Sequence, residues 1–303
     1  IVRQRRSGTF VKENICHNKI NKLLNQTSQK VLIIESESEF SFIQWNHTTI
    51  TALVGLLESH FDVSFGKLPD CSDKLAEFIA ELEKNEIKAV VIFPGSDASL
   101  NVLHRNINLL DDYSGEIFLY DRTWTFQEST LRNLVSVDFE YEGRLAAKYL
   151  KEKKYQEIAF YYHRDLSAPL SNWLDARLRG ARQVLGDKLK LIAIDNPGGD
   201  YSEMESFLKK NGKAGVICRT DTDAAELIEF AGKLDLSAGR DYGLISFDNN
   251  PQFRYLNLTT VAPPLEKIGK LLADIITKRM DYHDDLINVK YFVKSSIIAG
   301  KTA

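Results

Sequence analysis

The stretch YGLISFDNNPQFRYLNLTTVAPPLEKIGKLLADII (242–276) decides the fold. It opens on a continuous apolar run, Leu244–Phe247, of the kind a strand buried on both faces requires. The run stops at Asp248-Asn249-Asn250, which are strand-ending polar residues. Further on, Leu265, Ile268, Leu271, Leu272, Ile275 and Ile276 recur at helical spacing, with Lys267, Lys270 and Asp274 off that stripe. A fully apolar strand followed by an amphipathic helix is the repeating unit of a parallel α/β sheet.

The same alternation runs backward from this stretch. The pattern predicts strands at Val31–Ile34, Ala89–Phe93, Ile117–Tyr120, Val135–Val137, Ile158–Tyr162, Leu189–Ile194, Val216–Cys218 and Leu244–Phe247. Between them it predicts helices at 42–59, 73–86, 98–110, 141–153, 170–185, 202–210, 221–233 and 265–280. So many units exceed one open sheet, and the expected fold is α/β with two doubly wound parallel-sheet lobes. The chain has 303 residues, 44% apolar and 27% charged, which suffices for two cores and excludes a disordered segment as the main body. The apolar runs, such as AVVIF at 89–93, are far short of the ~20 residues that a membrane helix needs, so no membrane partner is expected. Three widely spaced cysteines (Cys16, Cys71, Cys218) argue against a disulfide framework or structural zinc and suit a cytoplasmic, reducing compartment.

Charge is unevenly spread. Residues 1–30 hold seven cations against Glu13, a net of +6, which leaves −9 for the rest of a chain whose total is −3. A basic arm on an acidic body points to a polyanion that meets the arm alone. The start at Ile1, with no apolar signal core behind it, suggests a piece whose upstream part is missing.

Parallel α/β folds bind ligands at the carboxyl ends of their strands. The loops there carry Glu37, Glu39, Phe40, Phe42 and Trp45 after the first strand, Asp121 after Ile117–Tyr120, Arg219, Thr220 and Asp221 after Cys218, and Asp248 after Phe247. Carboxylates accept from vicinal hydroxyls, a guanidinium donates a fixed fork, and aromatic faces cover the C–H side of a sugar ring. The competing reading of any one of these Asp residues is a helix cap, above all for Asp221 before AAELIEF. Catalytic signatures are lacking: there is no GxGxxG, Walker A loop, GxSxG elbow or HExxH, and the six histidines are scattered. Pro94-Gly95-Ser96 reads as a plain βα turn, with an anion held by backbone N–H groups at a helix start as the alternative. No catalytic residue, metal or cofactor is expected. A sugar-acting enzyme using Glu37 or Glu39 remains a rival reading.

Several segments resemble the effector-binding domain of the lactose/galactose repressor family, which has a periplasmic-binding-protein fold. VSVDFEYEGRLAAKYL (135–150) is similar to its crossover strand and helix, ARLRGARQVL (176–185) to its Arg-x-x-Gly helix, and GVICRTDTDAAEL (215–227) to its Asn-Asp segment. The 242–276 stretch resembles it most closely. The resemblance implies a lobe of 30–136 with 264–288, a second of 137–263 with 289–303, and a monosaccharide held between them. Implied contacts are Asp121, Arg177, Thr220 with Asp221, and Asp248. Thr220 stands where the family has Asn, and Arg219 is larger than the usual residue, entering the pocket or closing a salt bridge.

IVRQRRSGTFVKE (1–13) resembles the last strand and wing of a GntR-type winged helix, with 14–29 as linker. That resemblance implies DNA contact by Arg3, Arg5, Arg6, Gly8 and Thr9. The combination implies an arabinose- or fucose-responsive repressor of operator DNA, with galactose as a further candidate effector, acting as a homodimer. A periplasmic sugar-binding protein of the same fold is the alternative.

Overall fold

The apolar runs become the inner strands of two parallel sheets in the computed structural model, which describes residues 2–4, 8–10, 29–35, 40–69, 71–93, 102–103, 105–106, 110, 113–121, 133–164, 172–195, 199–209, 214–282 and 289–303. The first sheet contains β3 (Lys30–Glu35), β4 (Asp62–Gly66), β5 (Ile87–Phe93), β6 (Glu116–Asp121), β7 (Asn133–Val137) and β13 (Val289–Val293), in the order β13-β7-β6-β5-β3-β4. All its described pairings are parallel. Helices α1 (Phe40–Leu57) and α7 (Leu265–Tyr282) cover one face, with Val31, Ile33, Leu53, Ile268 and Leu272 in the shared core. Helix α2 (Ser72–Lys84) covers the other, where Leu75 and Leu82 meet Ile34, Val90 and Ile92. Adjacent residues Ile33 and Ile34 thus enter opposite cores, as the two-residue period of a strand dictates.

The second sheet follows the same plan. Its strands are β8 (Glu157–Arg164), β9 (Leu189–Asp195), β10 (Ala214–Cys218), β11 (Gly243–Phe247), β12 (Thr259–Ala262) and β14 (Ser296–Ile298), in the order β14-β12-β11-β10-β8-β9. Only the β12–β14 pair is antiparallel among the described pairings of this sheet. Helices α3 (Phe139–Glu152) and α4 (Asn172–Leu185) cover one face, and α5 (Ser202–Leu208) and α6 (Asp221–Gly232) the other.

Two glycines bring α3 and α4 into backbone contact. A Cβ at Gly143 would lie 1.9 Å from the Arg177 carbonyl oxygen, and one at Gly180 would lie 1.9 Å from that of Glu140. The Gly of the Arg-x-x-Gly helix is thus a packing requirement, and it sets Arg177 beside Glu142.

The chain passes between the sheets after Val137, at Pro263-Pro264, and after Val293. The third passage corrects the expected boundary near Asn288. Residues 289–293 pair with β7 in register from Val289↔Asn133 to Val293↔Val137, so they belong to the first lobe. The first and third passages lie side by side, since the Asp138 N–H donates to the Val293 carbonyl at 3.0 Å.

Most of the helix predicted over 98–110 lies outside the described residues. The strands β4, β12, β13 and β14 were not anticipated. At the N-terminus, β1 (Val2–Gln4) and β2 (Gly8–Phe10) pair antiparallel, with Arg3 opposite Thr9 and Gln4 opposite Gly8. Arg5, Arg6 and the expected linker to 28 lie outside the described residues. No helix among the described residues is long and apolar enough to cross a membrane.

Candidate functional site

A cavity of about 410 Å³ opens between the lobes at the Pro263-Pro264 passage. Trp45 and Thr48 on α1 line it from the first lobe, and Asp248, Asn249 and Asn250, just after β11, line it from the second. Arg254, Glu266 and Lys267 complete its charged wall. Its size falls within the range of small-molecule sites, and it sits at the strand ends where this class of fold binds ligands. The cleft wall is held in an unusual backbone state: Asp248 and Asn249 have φ of 98° and 52°, successive left-handed values at residues other than glycine. Asp248 N–H donates to Val261 O at 3.0 Å and Asn249 N–H to the Thr260 hydroxyl at 3.3 Å, which pins the turn against β12.

Arg177 stands one layer behind Asp248. Its side chain is 1% exposed. One terminal nitrogen donates to Asp248 Oδ1 at 3.0 Å, the other to the Arg219 carbonyl at 3.0 Å, and Nε to Glu142 Oε2 at 2.8 Å. The guanidinium carbon lies 4.2 Å from the Phe247 ring centroid, 5.0 Å from Trp173 and 5.2 Å from Phe139, all within cation–π range. Burial pulls the Arg177 pKa down, but the Glu142 and Asp248 carboxylates outweigh it and the group stays charged. Burial pushes Glu142 up, against the opposing pull of Arg177 and of the Ser295 hydroxyl, which donates to Glu142 Oε1 at 2.5 Å. Glu142 and Ser295 were not anticipated.

Asp221 was read as either a ligand contact or a helix cap. It does not cap α6, and its carboxylate is engaged by neighbours within the second lobe. Oδ1 accepts from the Ser246 hydroxyl at 2.5 Å and the Thr260 hydroxyl at 3.0 Å, and Oδ2 from the Asn250 N–H at 2.6 Å. These bonds knit β11, β12 and the cleft turn together, with the carboxylate itself buried. Burial, and then repulsion from Asp248, push its pKa up to about 7 despite the three hydrogen bonds. The cap of α6 is Thr220, whose hydroxyl accepts from the Asp223 N–H at 3.2 Å. Of the two roles open to Arg219, it takes the salt bridge: Nε lies 2.8 Å from Asp223 Oδ2, and a terminal nitrogen donates to Oδ1 at 2.9 Å.

Asp121 ends β6 fully buried, where its carbonyl accepts from the Ser136 hydroxyl at 2.5 Å, and it is not among the cavity-lining residues. Phe40 and Phe42 lie on the first turn of α1, while Glu37 and Glu39 fall outside the described residues. Among the described residues, His163, Asp223 and Glu226 bring their ligand atoms within 4.8 Å of one another. Arg219 already pairs with both oxygens of Asp223, and Glu226 Oε2 lies 2.5 Å from His163 Nε2, while His163 Nδ1 is buried without a hydrogen-bond partner among the described residues.

The family model for a periplasmic binding protein-like domain matches residues 147–302. The chain belongs to that family. As a periplasmic binding protein-like domain, it is 24% identical over 223 residues to the sucrose operon repressor of Streptococcus mutans, a match covering 70% of this chain and 63% of that protein. The matched stretch thus spans less than two thirds of that relative's length. Among solved structures, a LacI family transcriptional regulator from Enterococcus faecium with bound ribose superposes at a TM-score of 0.62 with 20% identity, covering 91% of this chain and 98% of that one. The lac repressor dimer bound to operator and the anti-inducer ONPF superposes at 0.66 with 16% identity, covering 97% and 99%. At these identities the superpositions speak for the fold, and the expected effector-domain fold is borne out. The proteins matched are repressors and regulators rather than enzymes.

Proposed function

We propose that this periplasmic binding protein-like domain is the sensor of a sugar-responsive transcriptional repressor, in which a neutral sugar held in the Trp45–Asp248 cleft changes operator affinity. The observation that carries this reading is an aromatic residue of one lobe and a carboxylate of the other lining one cavity of about 410 Å³ beside the interlobe passages. An aromatic and a carboxylate match the two faces of a pyranose or furanose. The Arg177 cation is already committed to Glu142 and Asp248, and the cations that line the cavity itself are Arg254 and Lys267. Ligand that prefers one interlobe angle shifts a hinge equilibrium. In a homodimer, that angle would set the spacing of two DNA readers. The β1–β2 pair with Arg3, Gly8 and Thr9, together with Arg5 and Arg6 between them in sequence, would serve as the wing on the phosphate backbone. Nothing in the relatives favours arabinose or fucose over other sugars: the repressor matched is named for a sucrose operon, and the regulator structure holds ribose.

The test is thermal unfolding of the chain against sucrose, ribose, arabinose, fucose, galactose and their phosphorylated counterparts. A ligand at about 100 times its Kd stabilises by about 2.7 kcal/mol, which raises the midpoint of a chain of this length by about 4 °C. A rise with one neutral sugar, abolished by Trp45→Ala and by Asp248→Ala, is the expected result. No rise with any sugar overturns the sugar reading.

A further inference from the structure

An unbroken file of hydrogen-bonded side chains joins the cleft to the third passage between the lobes. It begins at Asp248 in the cleft wall, whose Oδ1 is held by Arg177 at 3.0 Å. Arg177 passes the contact to Glu142 Oε2, which both Nε and a terminal nitrogen approach at 2.8 Å. The other oxygen of Glu142 accepts from Ser295 at 2.5 Å. Ser295 lies between β13 of the first lobe and β14 of the second, buried to 5% exposure. Next to it, the first passage is tied to the third through the Asp138–Val293 bond.

The surroundings leave this file few ways to relax. Glu142 is fully buried, so a carboxylate deserted by Arg177 has no water to turn to. Helices α3 and α4 are locked at Gly143 and Gly180, so the helices that carry Glu142 and Arg177 move together. What remains free to respond is the side-chain file itself and the passage on which Ser295 sits.

We propose that Asp248, Arg177, Glu142 and Ser295 form a relay by which occupancy of the cleft alters the anchoring of the interlobe passage. A ligand hydroxyl that engages Asp248 draws on Arg177, the Arg177–Glu142 contact readjusts, and the Ser295 bond that fixes the passage weakens or tightens with it. The relay rests on the reading of the cleft as the effector site, and its test needs no ligand.

Hydrogen exchange is followed on the ligand-free chain for the wild type, Asp248→Ala and Ser295→Ala, with circular dichroism to establish that each variant is folded. The expected result is that Asp248→Ala speeds exchange of the Asp138 amide and of peptides spanning 293–296 by about tenfold, although neither touches the cleft. Ser295→Ala, a small deletion outside the cavity lining, produces the same acceleration without altering 247–250. Acceleration confined to 247–250 in Asp248→Ala overturns the relay. A second arm titrates sucrose and ribose. If either binds the wild type, Ser295→Ala shifts its affinity by about fivefold, and an unchanged affinity counts against the relay. If neither binds, the choice of cleft ligand fails while the exchange data still decide the relay.

Discussion

Replacing Arg177 with methionine removes the centre of the buried polar network while keeping much of its volume. The variant strips donors from Glu142, Asp248 and the Arg219 carbonyl at once. Asp248 is 21% exposed and regains water, whereas Glu142 at 0% does not. The loss is therefore dominated by one uncompensated buried carboxylate, a situation that costs about 3–5 kcal/mol. With an unfolding entropy of about 2.1 cal/mol/K per residue, a loss of about 4 kcal/mol lowers the midpoint by about 6 °C. Glu142→Leu added to Arg177→Met removes the stranded charge, and the double variant recovers about 2 kcal/mol or more of that loss. Calorimetry or urea unfolding of the wild type, both single variants and the double variant checks this. A cost under about 1 kcal/mol for Arg177→Met, or a double variant no better than the single, would refute the claim that this pair is held charged in a dry setting.

The remaining predictions use other parts of the molecule. The folded chain keeps a proton on Asp221 up to about pH 7, while the unfolded chain, with the ordinary value of 3.8, releases it earlier. That contribution to stability is therefore complete at acid pH, declines as the pH rises through this window, and levels off above it. Asp221→Asn flattens the decline, as urea midpoints between about pH 5 and 8 will show. Gly180→Ala forces a methyl group onto the Glu140 carbonyl and lowers stability by about 2 kcal/mol or more, measured by the same unfolding assay. Asn46 is fully buried with neither amide atom bonded, so Asn46→Leu raises stability by about 1–2 kcal/mol. A destabilised Asn46→Leu would mean that the amide has a partner, such as a bound water.

The parts of the fold that could be read in advance are those buried on two faces. Val31–Ile34, Ala89–Phe93 and Leu244–Phe247 announce themselves because every residue must be apolar. Strand β4 does not, because at the sheet edge Asp62, Ser64 and Phe65 stay exposed and blur the pattern. Strand β12 reads TTVA, and its buried threonine hydroxyls find partners only from elsewhere in the chain: Thr260 donates to Asp221, and Thr259 accepts from the Gly300 N–H. In the site, Trp45 and Asp248 were legible from the strand-end rule. Asp221 was not, since Ser246, Asn250 and Thr260 reach it only after three segments have packed. Glu142 lies on an amphipathic helix among other charges and looks solvated until Gly143 and Gly180 press two helices together. A Glu immediately before such a glycine was the available hint.

The paired left-handed residues Asp248 and Asn249 carry a consequence for any attempt to improve this protein by selection. Each such conformation costs on the order of 1 kcal/mol or more in a residue with a side chain, and glycine removes that cost. Libraries screened for heat resistance alone should therefore drift toward glycine at 248 and 249, gaining robustness while erasing the carboxylate that faces the cleft. Durability and responsiveness are thus set against each other at two adjacent positions. Screening for both traits together should keep Asp248 and let only Asn249 change.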